Sequence, residues 1–514
     1  VGGNEMRYSY ATTKITAPEL EIDGVYKLKN SAVTLVTDAS RREKGVHSIY
    51  EFVNLGWDDT YFLDITCRTD WSSTLHPTKW SYTYPSVSAS VLLDKAFKIN
   101  TPYVNMLKVR ASWANVGNDT SPYSLYDAYS KTSLPGGFTL PSTLKDAYIN
   151  PENVESWEVG FEGKFFSNRL NLDLALYKNT TTDQILGVSQ SSETGATKVM
   201  MNAGRVENKG IEISFRLRPV QTRDLLWEIN GNWARNKNKL CELNDGWDPS
   251  TPLQTSMGVT IGSRTFVYSY IGEEMHWIYG RDYVRAPKGS TYTDENGTVI
   301  DCSGMPIIDP KTGYPSLIED PNQRIAKVNP DWKAGFGTSV RYKNLSFSAQ
   351  FTAQVGGNSF SVTNFALSYQ GKLKNSLPGR EDGLVLKGVN AVDNGDGTIS
   401  YRKNNTITEN VYIYYNKYQW VRDNTKANTF STDFLKLKEV RLDYRFSERW
   451  MQKTKFLRSA SIGIFATNLF CITNWPQYDP EAAGVVSGTN IYGGIETGSF
   501  PMTRTYGFNI KLQF

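Results

Sequence analysis

Residues 345–355 read Leu-Ser-Phe-Ser-Ala-Gln-Phe-Thr-Ala-Gln-Val. Leu345, Phe347, Ala349, Phe351, Ala353 and Val355 fall on one parity, while Ser346, Ser348, Gln350, Thr352 and Gln354 fall on the other. A helix, advancing about 100° per residue, would scatter both sets around its circumference, whereas a strand sends them to opposite faces. The segment is therefore a strand with one apolar and one polar face. The same separation appears in Ile211, Ile213, Phe215 and Leu217 against Glu212, Ser214, Arg216 and Arg218, and in Leu170, Leu172, Leu174 and Leu176 against Asn171 and Asp173. Leu107, Val109, Ala111 and Trp113, then Trp157, Val159, Phe161 and Phe165, and then Trp227, Ile229 and Trp233 follow suit.

This period predicts about fifteen strands. They lie near residues 46–56, 60–70, 84–97, 104–116, 155–165, 170–180, 207–218, 225–236, 263–271, 275–285, 332–343, 346–356, 432–446, 461–470 and 501–514. Segment 46–56 mixes its faces, and in 432–446 the apolar parity changes between Leu437 and Val440, as a β-bulge would cause. Connections alternate in length. Tight turns are expected at 58–59, 99–102, 167–168, 219–223, 272–274 and 343–344, and between them run stretches such as 117–154, 286–331 and 357–431, dense in Gly, Asn, Asp, Ser, Thr and Tyr. Structureless loops of that length are uncommon in compact soluble domains, but bacterial outer-membrane barrels have short turns at one end and long loops at the other. The expected fold is all-β, a transmembrane antiparallel β-barrel. Residues 1–45 are read as an extracellular loop region and 46–514 as the barrel with its long extracellular loops.

Composition agrees with that class and excludes others. The chain has 514 residues, 56 Lys and Arg against 52 Asp and Glu, and a net charge of +4, too small to imply a nucleic-acid surface. Aromatics make up 13% and mean hydropathy is −0.44. No stretch approaches the roughly 18 consecutive apolar residues of a spanning helix. Four cysteines (Cys67, Cys241, Cys302 and Cys471) are too sparse for a disulfide scaffold, and three scattered histidines form no metal motif. Asp393–Thr398 (DNGDGT) fails the spacing of a calcium loop and reads as turn chemistry. No GxSxG, P-loop or GxGxxG is present, so neither an enzyme nor a cofactor is expected. A soluble β-sandwich would also alternate, but strands of about ten residues match a tilted crossing of hydrocarbon. Tyr61, Trp71, Trp157, Trp227, Trp233, Tyr342 and Tyr506 near strand ends suit interfacial girdles.

Particular residues then point to a family. Leu63–Thr66 with Arg68, Asp70–Leu75 and Tyr84–Ser88 resembles the LDxTxRxDWSSTL…YPSVS stretch of SusC/RagA-like TonB-dependent transporters. Asn202–Gly204, Glu207–Glu212 (ENKGIE), Val328–Trp332 (VNPDW), Asp433–Lys438 (DFLKLK), Thr467–Phe470 (TNLF) and Tyr478–Glu481 (YDPE) extend the resemblance over most of 48–514. Tyr506, Phe508, Ile510, Leu512 and Phe514 resemble the aromatic-ended last strand of outer-membrane proteins. The resemblance implies a plugged barrel in the outer membrane of a Gram-negative bacterium, importing oligosaccharides, or peptides, with energy from TonB. It also implies a SusD-like surface lipoprotein as lid, and admits a dimer of transporter–lid pairs. Family barrels have about 22 strands around a plugged lumen. The sequence is thus expected to be the carboxy-terminal part, with the plug and about seven strands supplied by the amino-terminal part of the same transporter. An odd strand number would place the break in a surface loop.

The polar faces carry a mixed-sign set including Asp64, Arg68, Asp70, Arg110, Glu158, Arg216, Arg218, Glu228, Arg441 and Asp443. Such charges need water or partners. Asp64, Arg68 and Asp70, beside the family stretch, are the expected plug contacts. Long loops bearing aromatics suit sugar recognition, because a ring offers an apolar face and a polar tip. Tyr123, Tyr126, Trp247, Tyr314, Trp475 and Tyr478 are the expected cargo contacts, with girdle or loop packing as their alternative role. A passive porin or surface adhesin without energy coupling is the alternative function, and a soluble carbohydrate-binding β-protein the third.

Overall fold

In the computed structural model, residues 1–132, 134, 136–189, 193, 195–244, 247–257, 265–420, 424–454, 456–482, 493–498 and 501–514 are described. Fourteen long strands form one sheet in chain order. They are β1 (Gly2–Thr16), β2 (Val36–Trp57), β3 (Tyr61–Ser72), β4 (Ser81–Leu92), β5 (Val104–Asn118), β6 (Glu152–Phe165) and β7 (Leu170–Thr182). Then come β8 (Arg205–Gln221), β9 (Leu225–Glu242), β10 (Trp332–Tyr342), β11 (Leu345–Val355), β12 (Phe434–Arg445), β13 (Ser459–Thr473) and β14 (Thr505–Gln513). From β1 to β5 and from β9 to β14 successive strands pair antiparallel, as hairpin connectivity dictates. β1 and β14 stand at the two ends of the order. The connections 58–60, 93–103, 166–169, 222–224, 343–344 and 446–458 alternate in chain order with 17–35, 73–80, 119–151, 183–204, 243–331, 356–433 and 474–504, which include the longest loops.

Three expectations are corrected. Residues 1–45 are largely strand, with Gly2–Thr16 paired to Val36–Tyr50. Thr37–Gly45 is polar on both faces, and backbone hydrogen bonds hold this ladder without leaving a hydrophobic period. The segments 263–271 and 275–285 contribute no strand to the large sheet. Phe266–Ser269 and Trp277–Gly280 belong instead to a four-stranded sheet with Leu253–Met257 and Gln323–Lys327, and the turn at 272–274 lies within it. Residues 263 and 264 fall outside the described residues. These strands alternate because they cover a dry core, with Val267 and Ile278 fully buried. The large sheet therefore holds fourteen strands among the described residues, an even number, and the odd-number argument for a break in a surface loop does not hold. The bulge is where the parity slip placed it: register shifts between Leu437 and Glu439 against both neighbours of β12.

The chain divides into two compact units. The first comprises Val1–Glu162, Ala175–Lys209 and Leu240–Trp247. Its loops carry a small sheet in the order Ile185–Ser189, Lys198–Asn202, Thr143–Lys145. The second comprises Gly163–Leu174, Gly210–Lys239 and Asp248–Phe514. Its loops hold the four-stranded sheet, a three-stranded sheet (Thr429–Ser431, Asn358–Ser361, Ile495–Glu496), and the helix Val362–Tyr369. Ser361 caps that helix by accepting from the Asn364 backbone N–H.

Where the apolar residues go decides the fold class. The largest fully buried apolar side chains, among them Ile149, Leu240, Val267, Ile278, Phe360 and Ile495, lie in the loops or at a strand's long-loop end. On the strands the apolar parity is uncovered: Tyr506 is 71% exposed, Phe508 72%, Ile464 58% and Trp157 55%. A sandwich would bury these faces against a second sheet. An apolar face this continuous, left open along whole strands, is a surface for acyl chains. No helix among the described residues is long and apolar enough to cross a membrane.

Candidate functional site

The polar face of the first unit gathers charge where β2–β5 approach their long loops. Alternation puts Arg68, Asp70 and Ser72 on one face of β3. Arg68 Nε donates to Asp70 Oδ1 at 2.7 Å and its Nη2 to Ser48 Oγ at 2.8 Å. The Tyr84 hydroxyl donates to the other Asp70 oxygen. Asp70 is buried yet has partners on both oxygens. Above it, Ser72 donates to Asp119, whose second oxygen accepts from Lys44 at 2.5 Å. Two carboxylates are thus each held by one cation and one hydroxyl, the arrangement that makes buried charge tolerable. Asp64 sits lower on the strand, half-buried, accepting from Asn54 at 2.5 Å and Ser88 at 3.3 Å. The structure therefore joins Arg68 to Asp70 and leaves Asp64 apart. Asp119 and Lys44 were missed, being distant in sequence from the β3 motif, and Tyr84, though part of the family stretch, was not read as a partner of Asp70.

The remaining polar faces pair their charges locally. Arg110 meets Glu158 at 3.3 Å, and Glu207 meets Lys178 and Lys209 at 2.9 and 2.6 Å. In the second unit Arg218 and Arg216 share Glu228 at 3.0 and 3.7 Å, and Arg441 meets Asp443 at 2.5 Å.

A second cluster in that unit is more buried. Lys436 on β12 is 1% exposed. Its Nζ lies 2.5 Å from Asp479 and 2.5 Å from Glu481, and Lys438 meets the same Glu481 oxygen at 2.6 Å. The bulge at Lys438 adds a residue to the strand, keeping both lysines aimed at the loop while restoring Glu439 to the polar face. Burial raises the Glu481 pKa, but hydrogen bonds from Lys436 and Lys438 outweigh it and hold the carboxyl below its ordinary value. The two segments in contact are the DFLKLK and YDPE stretches. Opposite charge in two family-like stretches was the available signal; nothing in the sequence showed that they meet.

The aromatic candidates divide. Tyr123, Tyr126 and Tyr478 are exposed, and Lys145 pins the turn beneath the first two by donating to both their carbonyls at 3.0 Å. Tyr314 is buried, stacked on Tyr418 at 4.9 Å, and Trp475 is buried edge-on to Phe430 at 6.2 Å. Trp247 is half-buried. Tyr314 and Trp475 thus pack in separate places and hold loops together. The four cysteines form no disulfide with one another among the described residues. No group of three or more His, Cys, Asp or Glu side chains among the described residues could hold a metal. Asp393 and Asp396 accept from backbone N–H groups of Gly395 and Thr398 at 2.9 Å, the turn chemistry expected of DNGDGT.

Comparison with known proteins gives one family. The family described as TonB dependent receptor-like, beta-barrel matches residues 3–377. TonB-dependent receptor P3 of Formosa agariphila is 25% identical over 503 residues, covering 95% of this chain and 47% of its own. TonB-dependent receptor SusC of Bacteroides thetaiotaomicron is 22% identical over 501 residues, covering 93% and 45%. The chain thus spans about half the length of the curated relatives it matches. Among solved structures, the RagAB peptide importer in its closed-closed state superposes with a TM-score of 0.72 at 18% identity, covering 100% of this chain and 53% of that one. That likeness establishes the shared strand architecture.

Proposed function

Because the chain belongs to the TonB dependent receptor-like β-barrel family, outer-membrane transporters of Gram-negative bacteria and not enzymes, we propose that it forms the carboxy-terminal barrel portion of a SusC-like importer of oligosaccharides. The observation that carries the reading is the uncovered apolar face of the strands set against an ion-paired polar face, with the longest loops falling on alternate connections. The apolar face meets lipid, the polar face lines an aqueous lumen, and the long loops stand outside the cell. β1 and β14 each present an edge, and an unpaired backbone group in hydrocarbon costs several kcal/mol. About eight further strands would bring fourteen to the family's roughly 22. We assign these, with the plug and its link to TonB, to the remainder of the transporter. Arg68, Asp70 and, lower down, Asp64 face that plug. Tyr123, Tyr126 and Tyr478 face cargo or a SusD-like lid lipoprotein.

Peptides are the second reading, favoured by the strand architecture shared with a peptide importer. The test is uptake of labelled oligosaccharides and peptides by cells carrying the intact transporter, with and without TonB. Oligosaccharide accumulation that disappears without TonB supports the proposal. Peptide accumulation alone selects the second reading. Uptake indifferent to TonB, with a steady conductance from purified protein in planar bilayers, identifies a passive porin and refutes both.

A further inference from the structure

β12 and β13 are joined by residues 446–458, which lie at the same end of the sheet as the tight turn 343–344. The register fixes this: Leu345 pairs with Tyr444, Arg445 with Ser461, and Ser459 with Gln513 at the end of β14. A hairpin closes with about two to five residues. The turns 222–224 and 343–344 of the same unit do so, whereas 446–458 is far longer. The surplus folds into the helix Glu448–Thr454 and has a composition of its own, with the cations Arg449, Lys453, Lys455 and Arg458 against the single acid Glu448. Lys455 lies outside the described residues.

The aromatic side chains of this connection pack onto the apolar parity of the strands. Phe446 meets Tyr444 edge-on at 5.4 Å and Trp450 at 6.2 Å, and Tyr444 stands on β12 in line with Val440 and Leu442. Phe456 stacks on Phe514 at 6.3 Å, and Phe514 continues the row of Phe508, Ile510 and Leu512 on β14. Met451 is buried and anchors the helix. Trp450 and Phe456 are nevertheless each 65% exposed, and Phe514 70%. Rings that hold one another in place while staying open to the outside form a contact surface and not a core. Arg449 and Lys453, at i and i+4 of the helix, project from one face. Both, like Arg458, are exposed and in no ion pair among the described residues.

We propose that residues 446–458 dock on anionic phospholipid headgroups of the membrane's inner leaflet, an inference that rests on the transport reading above, which puts the short connections at the periplasmic end. Two observations select that occupant. The rings of Phe446, Trp450 and Phe456 continue, through Tyr444 and Phe514, the strand face that meets acyl chains, so what covers the one covers the other. The cations stand beside those rings, where hydrocarbon gives way to headgroups. Trp favours that depth because its ring is apolar and its N–H wet, and cations next to exposed aromatic rings on a short helix are the chemistry of an interfacial anchor. Phosphate oxygens accept from Lys as a point charge and from Arg bidentately. An ethanolamine headgroup brings its own ammonium to compete for that phosphate, and a glycerol headgroup does not, so the surface prefers net negative lipid.

The experiment reconstitutes the intact transporter in vesicles of phosphatidylethanolamine and phosphatidylglycerol in equal parts, extracts it in mild detergent and weighs the lipid it retains by native mass spectrometry. Wild type is compared with the triple variant Arg449→Gln, Lys453→Gln, Arg458→Gln, its folding checked by heat-resistant migration. Retention of phosphatidylglycerol over phosphatidylethanolamine that falls at least about fivefold in the folded variant, the factor expected of one cation near an anionic surface, supports the proposal. No preference in wild type, or one that the variant keeps, overturns it. A second readout locates the ring without touching a charge: the emission lost in Trp450→Phe should be quenched by lipids brominated near the ester end of the acyl chain and spared by aqueous acrylamide. Quenching by acrylamide overturns the proposal, as does shielding of Trp450 only when the periplasmic domain of TonB is added, which would assign the surface to a protein. The transport reading fails separately, when uptake no longer needs TonB; the lipid assignment fails while TonB-dependent uptake stands.

Discussion

Replacing Lys436 by Met in the intact transporter should strand a buried carboxylate. Methionine has similar length and fills the space, so the change removes a charge more than it opens a void. The Lys436 side chain is 2% exposed and that of Asp479 6%, with 2.5 Å between their charged atoms. Glu481 is in a different position: it is 28% exposed and keeps Lys438 at 2.6 Å. The uncompensated charge is therefore Asp479, and breaking a buried pair from one side costs about 3–5 kcal/mol. Adding Asp479→Asn to Lys436→Met should recover about 2 kcal/mol or more, because the amide carries no net charge to solvate. The readout is thermal unfolding in detergent together with the rate of proteolysis in residues 474–482, the loop that the pair ties to β12. Lys436→Met should speed cleavage there and lower the melting temperature, and the double variant should reverse much of both. A single variant within about 1 kcal/mol of wild type, or two single effects that simply add, would show that the cluster is wet and weak, refuting the anchor.

Ile464→Arg on the uncovered face of β13 should cost about 2–4 kcal/mol in lipid, seen as reduced heat-resistant folded species after refolding into vesicles; Ser348→Arg on the opposite face of β11 should be close to neutral, and equal effects would count against a lipid face. The Glu481 carboxyl is held below its ordinary value of 4.5, so its contribution to stability is complete above that value and is lost as pH falls through the lower folded one. Proteolysis of 474–482 should therefore stay slow from pH 8 to 5 and accelerate only below about pH 4; acceleration already at pH 6 would contradict the assignment. Gly204 has φ +100° and an added Cβ would lie 2.9 Å from the Glu242 carbonyl oxygen. Gly204→Ala should therefore destabilise the loop entry to β8 by about 1–3 kcal/mol, measurable as faster hydrogen exchange at Arg205 and Val206.

What the sequence disclosed, and what it withheld, follows from where a side chain's surroundings impose a pattern. Strand midsections face hydrocarbon on one side and polar lumen on the other, so β8, β10 and β11 could be read from parity alone. The bulge at Lys438 was legible for the same reason, since an inserted residue flips every side chain beyond it. β1 and the start of β2 were not, because their ladder needs only backbone groups and both faces are polar. Phe266–Ser269 and Trp277–Gly280 misled in the opposite sense: a loop core closed by Val267 and Ile278 imposes the same period as lipid. The contact of Lys436 with Asp479 and Glu481 spans more than forty residues and depends on the path of a loop, which no local period encodes.

Most of the stretches that carry the family resemblance also share a structural position, Leu63–Thr66 low on β3 being the exception. Tyr84 of YPSVS donates to Asp70 of the β3 motif. Asn202, ahead of β8, bonds Asn150 ahead of β6 through both its carboxamide atoms, at 2.6 and 2.9 Å. Asn329 of VNPDW donates to the Met275 carbonyl at 2.9 Å, and Asp433 of DFLKLK accepts from the Gly356 N–H at 2.6 Å. All of these lie where a strand gives way to a long loop. There the backbone leaves the ladder, and N–H and C=O groups that the sheet would have paired must find side-chain partners of one shape and one length. In mid-strand any apolar residue serves on one face and almost any polar residue on the other, so many sequences build the same sheet. Recognisable sequence therefore concentrates at the rim because geometry is least forgiving there. A transporter of this design needs that rim, since loops that must meet cargo can be placed reproducibly only if their first and last residues are fixed to the strands.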